Sequence, residues 1–472
     1  MTRRIVVLGG GPAGYVAALR AAQLGARVAL VESRAIGGTC LNRGCIPTKA
    51  LVAATERLRR ARDAAGFGVV LGAPQVDFGA LLARKGAVVE QQRGGVEHLL
   101  KARKVEVVAG FGRLVDAHTV RVTGQAGESG AAGAAGGGVR DLISDAVIIA
   151  TGSQPTMLPV FDVDDQRVMT SDQLLELDRL PASLAIVGGG AIGCEFAAIF
   201  AELGARVTIV EMLDQLVPGE DRRAAAALSQ AFRKAGIESR LKTRVERVDV
   251  SLPDEVGLAL ADGSTVAAAL VLVSVGRSPV SRGLGLEEAG VEIDEHGFVV
   301  TDLAQRTSLA DVFAAGDVAG PPLLAHWAYR QGAAAAENAV LGGSRTVDRR
   351  FVPNCIFSHP EVASFGTTED QAKAENLPIV VAQVRFNANS KAVIEGESDG
   401  YIRIIARAAD RRVIGASLVG PHVTELVHEL VLAARAGLTL DDVADTIHAH
   451  PTLAEAVGEA ALGAAGRGMH TL

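Results

Sequence analysis

The chain has 472 residues, with 47 Lys and Arg against 54 Asp and Glu, which gives a formal net charge of −7. Its 49% hydrophobic and 21% charged residues exclude a disordered chain, and the length predicts two to four domains. No uncharged apolar run approaches the roughly 18 residues of a membrane span, and the mild acidity disfavours a nucleic-acid partner. Four cysteines are too few for a secreted disulfide scaffold, so we expect a reducing cytoplasm.

An internal repeat organises the first half of the chain. Residues 5–32 and 184–211 align without gaps and share 13 of 28 residues. Each copy has an apolar strand, a glycine-rich turn, a helix-period segment and a second strand that ends in Glu. This order is typical of the first βαβ unit of a dinucleotide-binding fold, and it predicts two such folds.

The three glycines of each turn have separate tasks. The first permits the tight turn, the second lets the backbone approach a pyrophosphate, and the third lets the helix pack closely on the strand. The candidate positions are Gly9, Gly11 and Gly14 in the first copy and Gly188, Gly190 and Gly193 in the second.

Each copy also has a glutamate 23 residues after its first glycine, namely Glu32 and Glu211. Such a carboxylate accepts hydrogen bonds from a ribose 2′-hydroxyl and repels a 2′-phosphate. The residues after Glu211 include no arginine that would hold a phosphate, so the second site is expected to prefer NAD(H) over NADP(H).

Turn residues and strand patterns divide the chain into four segments. We predict a dinucleotide-binding domain over 1–152, a second over 153–275, a central segment over 276–345 that belongs with the first, and an α+β domain over 346–472. The fold class is therefore α/β with a C-terminal α+β domain. The stretch 125–138 is nearly all Gly, Ala and Ser, and it predicts a surface loop.

Two cysteines lie five residues apart, at Cys40 and Cys45, just beyond the first nucleotide-binding strand. Free cysteine is often a small core residue, but a close pair beside a dinucleotide site is better explained as a redox dithiol. Cys194 and Cys355 are isolated in sequence, and we expect them to be ordinary core residues.

The segment GGTCLNRGCIPTKAL and the repeated glycine turns resemble the flavin-dependent pyridine-nucleotide disulfide oxidoreductases over nearly the whole chain. Within that family the segment is most similar to the branch that oxidises dihydrolipoamide. The resemblance implies FAD in the first fold, NAD in the second and a homodimer closed by the C-terminal domain. It also implies that Cys40 exchanges with substrate and that Cys45 faces the flavin.

Further family positions are carried over from matching motifs. Asp317 ends a strand in Gly-Asp and would accept a hydrogen bond from the ribityl chain, and Lys49 would pair with Glu195 beside flavin N5. The other cofactor-binding candidates are Thr39, Gly112, Thr151, Gly152, Gly276, Leu324, Ala325 and His326. Arg43 and Trp327 depart from the family pattern.

The C-terminal stretch HAHPTLAE contains the candidate base. A dithiol reaction needs a base near neutral pH, and histidine with a carboxylate on its far nitrogen suits that task. His450 and Glu455 match the family's base and its orienting acid, which act on Cys40 of the partner chain. We expect no catalytic role for the eight histidines other than His450 and His326, and His448 and His359 are the nearest rivals among them.

These residues predict an oxidoreductase that transfers two electrons from a protein-bound dihydrolipoyl group to NAD⁺, with FAD as cofactor and no metal. The lipoyl group would arrive on a partner, either the acyltransferase of a 2-oxo-acid dehydrogenase complex or a lipoyl carrier protein. Three alternatives remain open: a reductase of another disulfide, an NADH:quinone or acceptor reductase, and a mainly structural subunit.

Overall fold

The structure is a computed structural model that describes residues 2–124, 138–164 and 166–470. Of the predicted loop at 125–138, residues 125–137 lie outside the described residues. The described strands are β1 (Arg4–Leu8), β2 (Arg27–Glu32), β3 (Glu106–Ala109), β4 (Phe111–Asp116), β5 (Thr119–Thr123), β6 (Val139–Ile143), β7 (Ala146–Ile149), β8 (Ser153–Pro155), β9 (Val168–Met169), β10 (Ser183–Val187), β11 (Arg206–Val210), β12 (Glu238–Arg240), β13 (Val245–Asp249), β14 (Val256–Leu260), β15 (Thr265–Ala268), β16 (Leu270–Val273), β17 (Arg277–Pro279), β18 (Val312–Ala314), β19 (Asn354–Ile356), β20 (Glu361–Gly366), β21 (Ile379–Arg385), β22 (Tyr401–Arg407) and β23 (Val413–Gly420). The described α-helices are α1 (Pro12–Gln23), α2 (Gly38–Arg43), α3 (Cys45–Asp63), α4 (Phe78–Ala102), α5 (Ser171–Leu174), α6 (Ala191–Leu203), α7 (Arg222–Lys234), α8 (Ala325–Leu341), α9 (Glu369–Ala374), α10 (Ser390–Ile394), α11 (Val423–Ala436), α12 (Leu440–Ala444) and α13 (Glu455–Ala464).

The chain forms two compact units. The first unit comprises Met1–Ala50, Ala80–Thr156 and Arg277–Arg349, and the second comprises Leu51–Gly79, Met157–Gly276 and Arg350–Leu472. Among the described residues, no helix combines the length and the low polarity that crossing a bilayer requires.

The first unit is built on a parallel sheet with strand order β18-β7-β1-β2-β3. Its central strand β1 is buried on both faces, because Ile5 and Val7 pack with the helices α1 and α8, whereas Val6 and Leu8 pack toward the three-stranded sheet β4-β5-β6. Burial on both faces explains why β1 is an unbroken apolar run and not an alternating one.

The second unit repeats this arrangement in a parallel sheet with order β12-β11-β10-β16-β9. Strand β10 pairs with β11 up to Val187 and Val210, in the same way that β1 pairs with β2 up to Leu8 and Val31. The predicted repeat of strand, turn, helix and strand is therefore confirmed, and so is the α/β fold class.

The C-terminal part of the second unit is an antiparallel sheet with order β19-β20-β23-β22-β21. One face of this sheet packs on α11 and α13, where Phe365, Ile404 and Leu418 meet Val427 and Val457 in a closed core. This core fixes the start of α13, which carries one of the predicted site residues.

Glycine is required where α8 crosses α1. A Cβ built on Gly332 of α8 would overlap the carbonyl oxygen of Ala13, whereas a Cβ on Gly86 of α4 would meet nothing within 4 Å. We therefore expect Gly332→Ala to lower the free energy of unfolding by about 3 kcal/mol, because the backbones must separate. Gly86→Ala, the matched control inside an exposed helix, should raise it by about 0.5–1 kcal/mol. Calorimetric unfolding of both variants measures the difference, and equal effects would contradict the close crossing.

Candidate active site

The first glycine turn has the geometry that a dinucleotide requires. Gly9 has a φ of +100°, and a Cβ on it would overlap the carbonyl oxygen of Ala150. A Cβ on Gly14 would overlap the carbonyl oxygen of Gly9, so the helix α1 lies directly on the turn. Gly11 precedes α1, and no side chain caps the first N–H groups of this helix. These N–H groups can therefore donate hydrogen bonds to a phosphate.

The second turn repeats these contacts. Gly188 has a φ of +104° beside the carbonyl of Ser274, and Gly193 lies against the carbonyl of Gly188. A Cβ on Gly190 would meet nothing within 4 Å, which leaves open space at the start of α6 for a pyrophosphate. Both turns thus fit the two dinucleotides that the sequence predicts.

The two strand-end glutamates are held by the turns themselves. Glu32 accepts hydrogen bonds from the backbone N–H groups of Gly10 and Arg34, both at 2.7 Å. Glu211, which is buried, accepts from the N–H groups of Gly189 at 2.7 Å and Leu213 at 2.8 Å. Each carboxylate therefore lies beside its glycine turn, as expected of an acid that binds the ribose of a dinucleotide.

The chain brings Cys40 and Cys45 together at a break between two helices. Cys40 lies in α2 and Cys45 begins α3, and Gly44 between them has φ −138° and ψ −111°. A Cβ on Gly44 would lie 3.0 Å from the carbonyl oxygen of Thr39, so the backbone folds back at this point. Thr48 stabilises the new helix because its hydroxyl donates to the Gly44 carbonyl at 2.7 Å.

Both cysteines are free thiols in the structure and form a hydrogen-bonded pair. The hydrogen bond to Cys45, burial and the negative charge of Cys45 together raise the pKa of Cys40, and the nearby Lys49 opposes them. The two thiols therefore have different surroundings, since Cys40 lies within α2 and Cys45 begins α3. This asymmetry suits a dithiol in which the two sulfurs have different partners.

The predicted pair of Lys49 and Glu195 is divided between the compact units. Lys49 follows Cys45 by one helical turn in the first unit, so both face the same side of α3. Glu195 is buried in α6 of the second unit, where it accepts from the N–H of Phe357 at 3.0 Å. Their pairing stays a prediction.

Asp317 is fixed by two residues that the sequence analysis missed. The hydroxyl of Ser153 donates to Asp317, and Arg277 donates to the same hydroxyl at 2.7 Å and to the Ser153 carbonyl at 2.8 Å. The Arg277 Nε also lies 4.0 Å from the Asp317 carboxylate. Only the pairing of β8 with β17 brings these segments together, so no local pattern could have indicated them.

The remaining cofactor candidates lie at strand ends and helix starts. α8 begins after Leu324, with Ala325 and His326 in its first turn. Gly112 of β4 packs against Leu8 and Val31, where a Cβ would come within 2.5 Å of Leu8. Thr151 donates to the Val280 carbonyl at 2.6 Å, Gly152 and Gly276 adopt positive φ, and Thr39 lies in α2 beside Cys40. Trp327 is buried, and its indole nitrogen has no partner among the described residues.

A tyrosine pair beside the dithiol was not predicted. The rings of Tyr15 on α1 and Tyr329 on α8 have centroids 5.9 Å apart. Burial raises the pKa of both phenols, and the charge of Cys40 raises it further. The pair is possible because α8 crosses α1 closely at Gly332, a contact that sequence spacing does not report.

His450 and Glu455 meet as the sequence predicts. The His450 Nδ1 lies 2.9 Å from the Glu455 carboxylate, which also accepts from the N–H of Thr452 at 2.8 Å. Burial opposes the charge of Glu455, but these hydrogen bonds outweigh it and lower the pKa of that carboxyl. The His450 side chain is 70% exposed, so its Nε2 edge is open to a reactant.

The chain belongs to the pyridine nucleotide-disulphide oxidoreductase family. Residues 3–332 match the family's nucleotide-binding region, and residues 352–461 match its dimerisation domain. The family uses FAD and NAD(H), in agreement with the two glycine turns.

Curated relatives cover nearly the whole chain. It is 40% identical to the dihydrolipoyl dehydrogenase of Bacillus subtilis, over 99% of this chain and 98% of the relative. It is 41% identical to that of Haloferax volcanii, over 99% and 97%.

Solved structures agree with the fold. LpdA from Mycobacterium tuberculosis matches with a TM-score of 0.90 at 30% identity, over 98% of this chain and 99% of that one. The HOCl-induced flavoprotein disulfide reductase RclA from Escherichia coli, in its Cu(II) complex, matches with a TM-score of 0.86 at 29% identity, over the same shares of each chain.

Glu211→Gln tests the second dinucleotide site. The amide oxygen can accept one backbone hydrogen bond, but the amide nitrogen cannot accept the other, and the charge that repels a 2′-phosphate is lost. We expect NAD⁺ to bind about 10-fold more weakly and the preference for NAD⁺ over NADP⁺ to shrink by at least that factor. Equilibrium titration with both nucleotides measures this, and Asp214→Asn, at an exposed carboxylate nearby, is the control. An unchanged preference would contradict the assigned role of Glu211.

Arg277→Gln tests the support of Asp317, which we propose binds the ribityl chain. Without the guanidinium, Ser153 and Asp317 lose a charge-assisted partner, and FAD should dissociate about 10-fold more readily. Flavin fluorescence on dilution measures release. Arg113→Gln, which removes an exposed arginine paired with Glu288 in the same unit, should leave FAD retention unchanged. Equal retention in both variants would refute the support role.

Proposed function

We propose that the chain oxidises protein-bound dihydrolipoyl groups and reduces NAD⁺, and that it works as a cytoplasmic homodimer. The observation that carries this proposal is the hydrogen-bonded pair of Cys40 and Cys45 in the same unit as the first glycine turn. The curated relatives with that activity cover nearly the whole chain. A reductase that bypassed the thiols would need neither the pair nor a base.

The base acts first. Because Nδ1 of His450 is held by Glu455, its Nε2 is the atom that takes a proton from the dihydrolipoyl thiol. Glu455 keeps the ring in one orientation and stabilises the imidazolium that forms. His450 and Glu455 both lie within residues 352–461, the dimerisation domain, which supports action on the partner's Cys40.

The dithiol then exchanges. The substrate thiolate attacks Cys40 of the Cys40–Cys45 disulfide and releases Cys45 as a thiolate. The second substrate thiol gives up its proton and attacks the mixed disulfide, so that the oxidised lipoyl disulfide leaves and Cys40 takes a proton. Two electrons then reside on the dithiol, with Lys49 nearby to balance the negative charge. The first glycine turn and Asp317 would hold FAD, which would supply the two-electron chemistry between the dithiol and NAD⁺.

The partner follows from the substrate. We infer that the lipoyl group is presented by a separate chain, either the acyltransferase of a 2-oxo-acid dehydrogenase complex or a lipoyl carrier protein. The exposed Nε2 edge of His450 supports delivery of the reactant from outside the chain.

Steady-state assays test the activity. Wild type should turn over dihydrolipoamide with NAD⁺ rapidly, and NADPH with glutathione disulfide slowly. Fast turnover in the second assay alone would refute the proposal in favour of a reductase of small disulfides.

Cys40→Ser separates the thiol route from a direct route to an acceptor. This variant should lose dihydrolipoamide oxidation by at least about 1,000-fold, because no sulfur is left for the substrate to attack. Its NADH oxidation by ferricyanide should remain, since that reaction does not need the dithiol. Cys355→Ser, at a half-buried isolated cysteine, is the control and should keep both activities. Retained dihydrolipoamide oxidation in Cys40→Ser would assign the chain to the acceptor reductases.

A further inference from the structure

A second histidine–glutamate pair lies two residues from the proposed base. The Nε2 of His448 is 2.9 Å from the carboxylate of Glu429 on α11. The His448 side chain is only 10% exposed, against 70% for His450. The chain thus presents two adjacent histidine–carboxylate pairs, one turned inward and one turned outward.

His448 is packed against the helix that orients the base. A Cβ built on Gly458 of α13 would lie 2.7 Å from Nδ1 of His448, so the imidazole rests on bare backbone there. Gly458 follows Glu455 by one helical turn. His448 therefore contacts α13 with one edge and α11 with the other, and it links the two helices through the segment that carries His450.

The neighbours of His448 make it the anchor of this segment. From 445 to 450 every residue except His448 is exposed, and Ile447 is 96% exposed. On the other side of the base, Thr452 secures the chain through its hydroxyl, which donates to the Ala449 carbonyl at 2.7 Å. Asn389 in turn donates to the Thr452 carbonyl at 3.0 Å. His450 is thus held from both ends, by Thr452 after it and by His448 before it.

We propose that His448 is a positioning residue for His450: its ion pair with Glu429 ties the base-bearing segment to α11 and keeps the local charge balanced beside His450 and Glu455. This inference rests on the proposed role of His450 as the base. His448 touches neither substrate nor cofactor in this proposal and acts only through its neighbour.

The charges around His448 support this role. Glu429 raises the pKa of His448, against the effect of burial, and Glu455 on α13 adds to the rise. Both carboxylates therefore favour the imidazolium form of His448, and the pair of that form with ionised Glu429 is neutral as a whole. Removal of His448 alone leaves the negative charge of Glu429 uncompensated next to the segment that carries the base, whereas removal of both partners leaves no net charge.

Three variants test the proposal: His448→Gln, Glu429→Gln and the double variant. All three should lower kcat/KM for dihydrolipoamide about 10-fold to 100-fold, because the base is no longer held in place. His448→Gln should also move the acid limb of the pH–rate profile up by about half a pH unit, because the uncompensated Glu429 stabilises the protonated base. In the double variant the midpoint of the acid limb should return to its wild-type pH. In Glu429→Gln this midpoint should not rise.

His470→Gln is the matched control. His470 pairs with Glu459 on the same helix α13, but its side chain is 72% exposed. This variant should keep both the wild-type rate and the wild-type pH profile. If His448 had a purely structural role, the variants would lower the rates, but the acid limb would not rise in His448→Gln and return in the double variant. That result would overturn the proposal.

A direct titration separates this inference from the proposed function. In FAD-loaded dimers with ¹³C-labelled histidine, the ring resonance of His450, assigned with His450→Gln, reports its titration midpoint without any substrate. The midpoint should rise in His448→Gln and return in the double variant. If wild type did not oxidise dihydrolipoamide, the proposed function would be refuted, but the expected differences in the His450 midpoint among the variants would still hold. Identical midpoints in all variants would overturn the positioning role, whatever the substrate.

Discussion

The contact on which the structure depends is the approach of a helix to its own turn at the third glycine of each repeat. Gly14 and Gly193 press against the carbonyls of Gly9 and Gly188, where a single methyl group would overlap backbone atoms. This close approach places the start of each helix at the end of the adjacent strand. The first N–H groups of the helix can then bind a phosphate at that point. The strand-end glutamates then bind to the same turns, so each dinucleotide site follows from one steric constraint.

The chemistry depends on unequal partners for similar groups. Cys40 and Cys45 lie five residues apart, and the break at Gly44 places Cys40 in α2 and Cys45 at the start of α3. His448 and His450 differ in the same way, since one is buried against Glu429 and the other is open beside Glu455. In both pairs the backbone, and not the residue type, decides the surroundings of each side chain.

Two of the site residues that the sequence indicated have partners that lie nearby in the chain. Glu32 lies 22 residues from the Gly10 N–H that it accepts from, and Glu455 lies five residues from His450. Ser153 and Arg277 were not predicted, and they contact Asp317 from positions 164 and 40 residues away. Tyr329 and Glu429 were not predicted either, because their contacts with Tyr15 and His448 depend on how whole helices pack.

The sequence by itself determined the fold class and the two glycine turns, and it predicted the cysteine pair and the pair of His450 and Glu455. These features are encoded in local spacing, where backbone sterics and short hydrogen bonds act within one supersecondary unit. Only the tertiary structure decided which residues support them: Arg277 behind Asp317, Tyr329 beside the dithiol and Glu429 beneath His448. Those contacts join elements that are distant in sequence, and their geometry is set by packing, which no local pattern records.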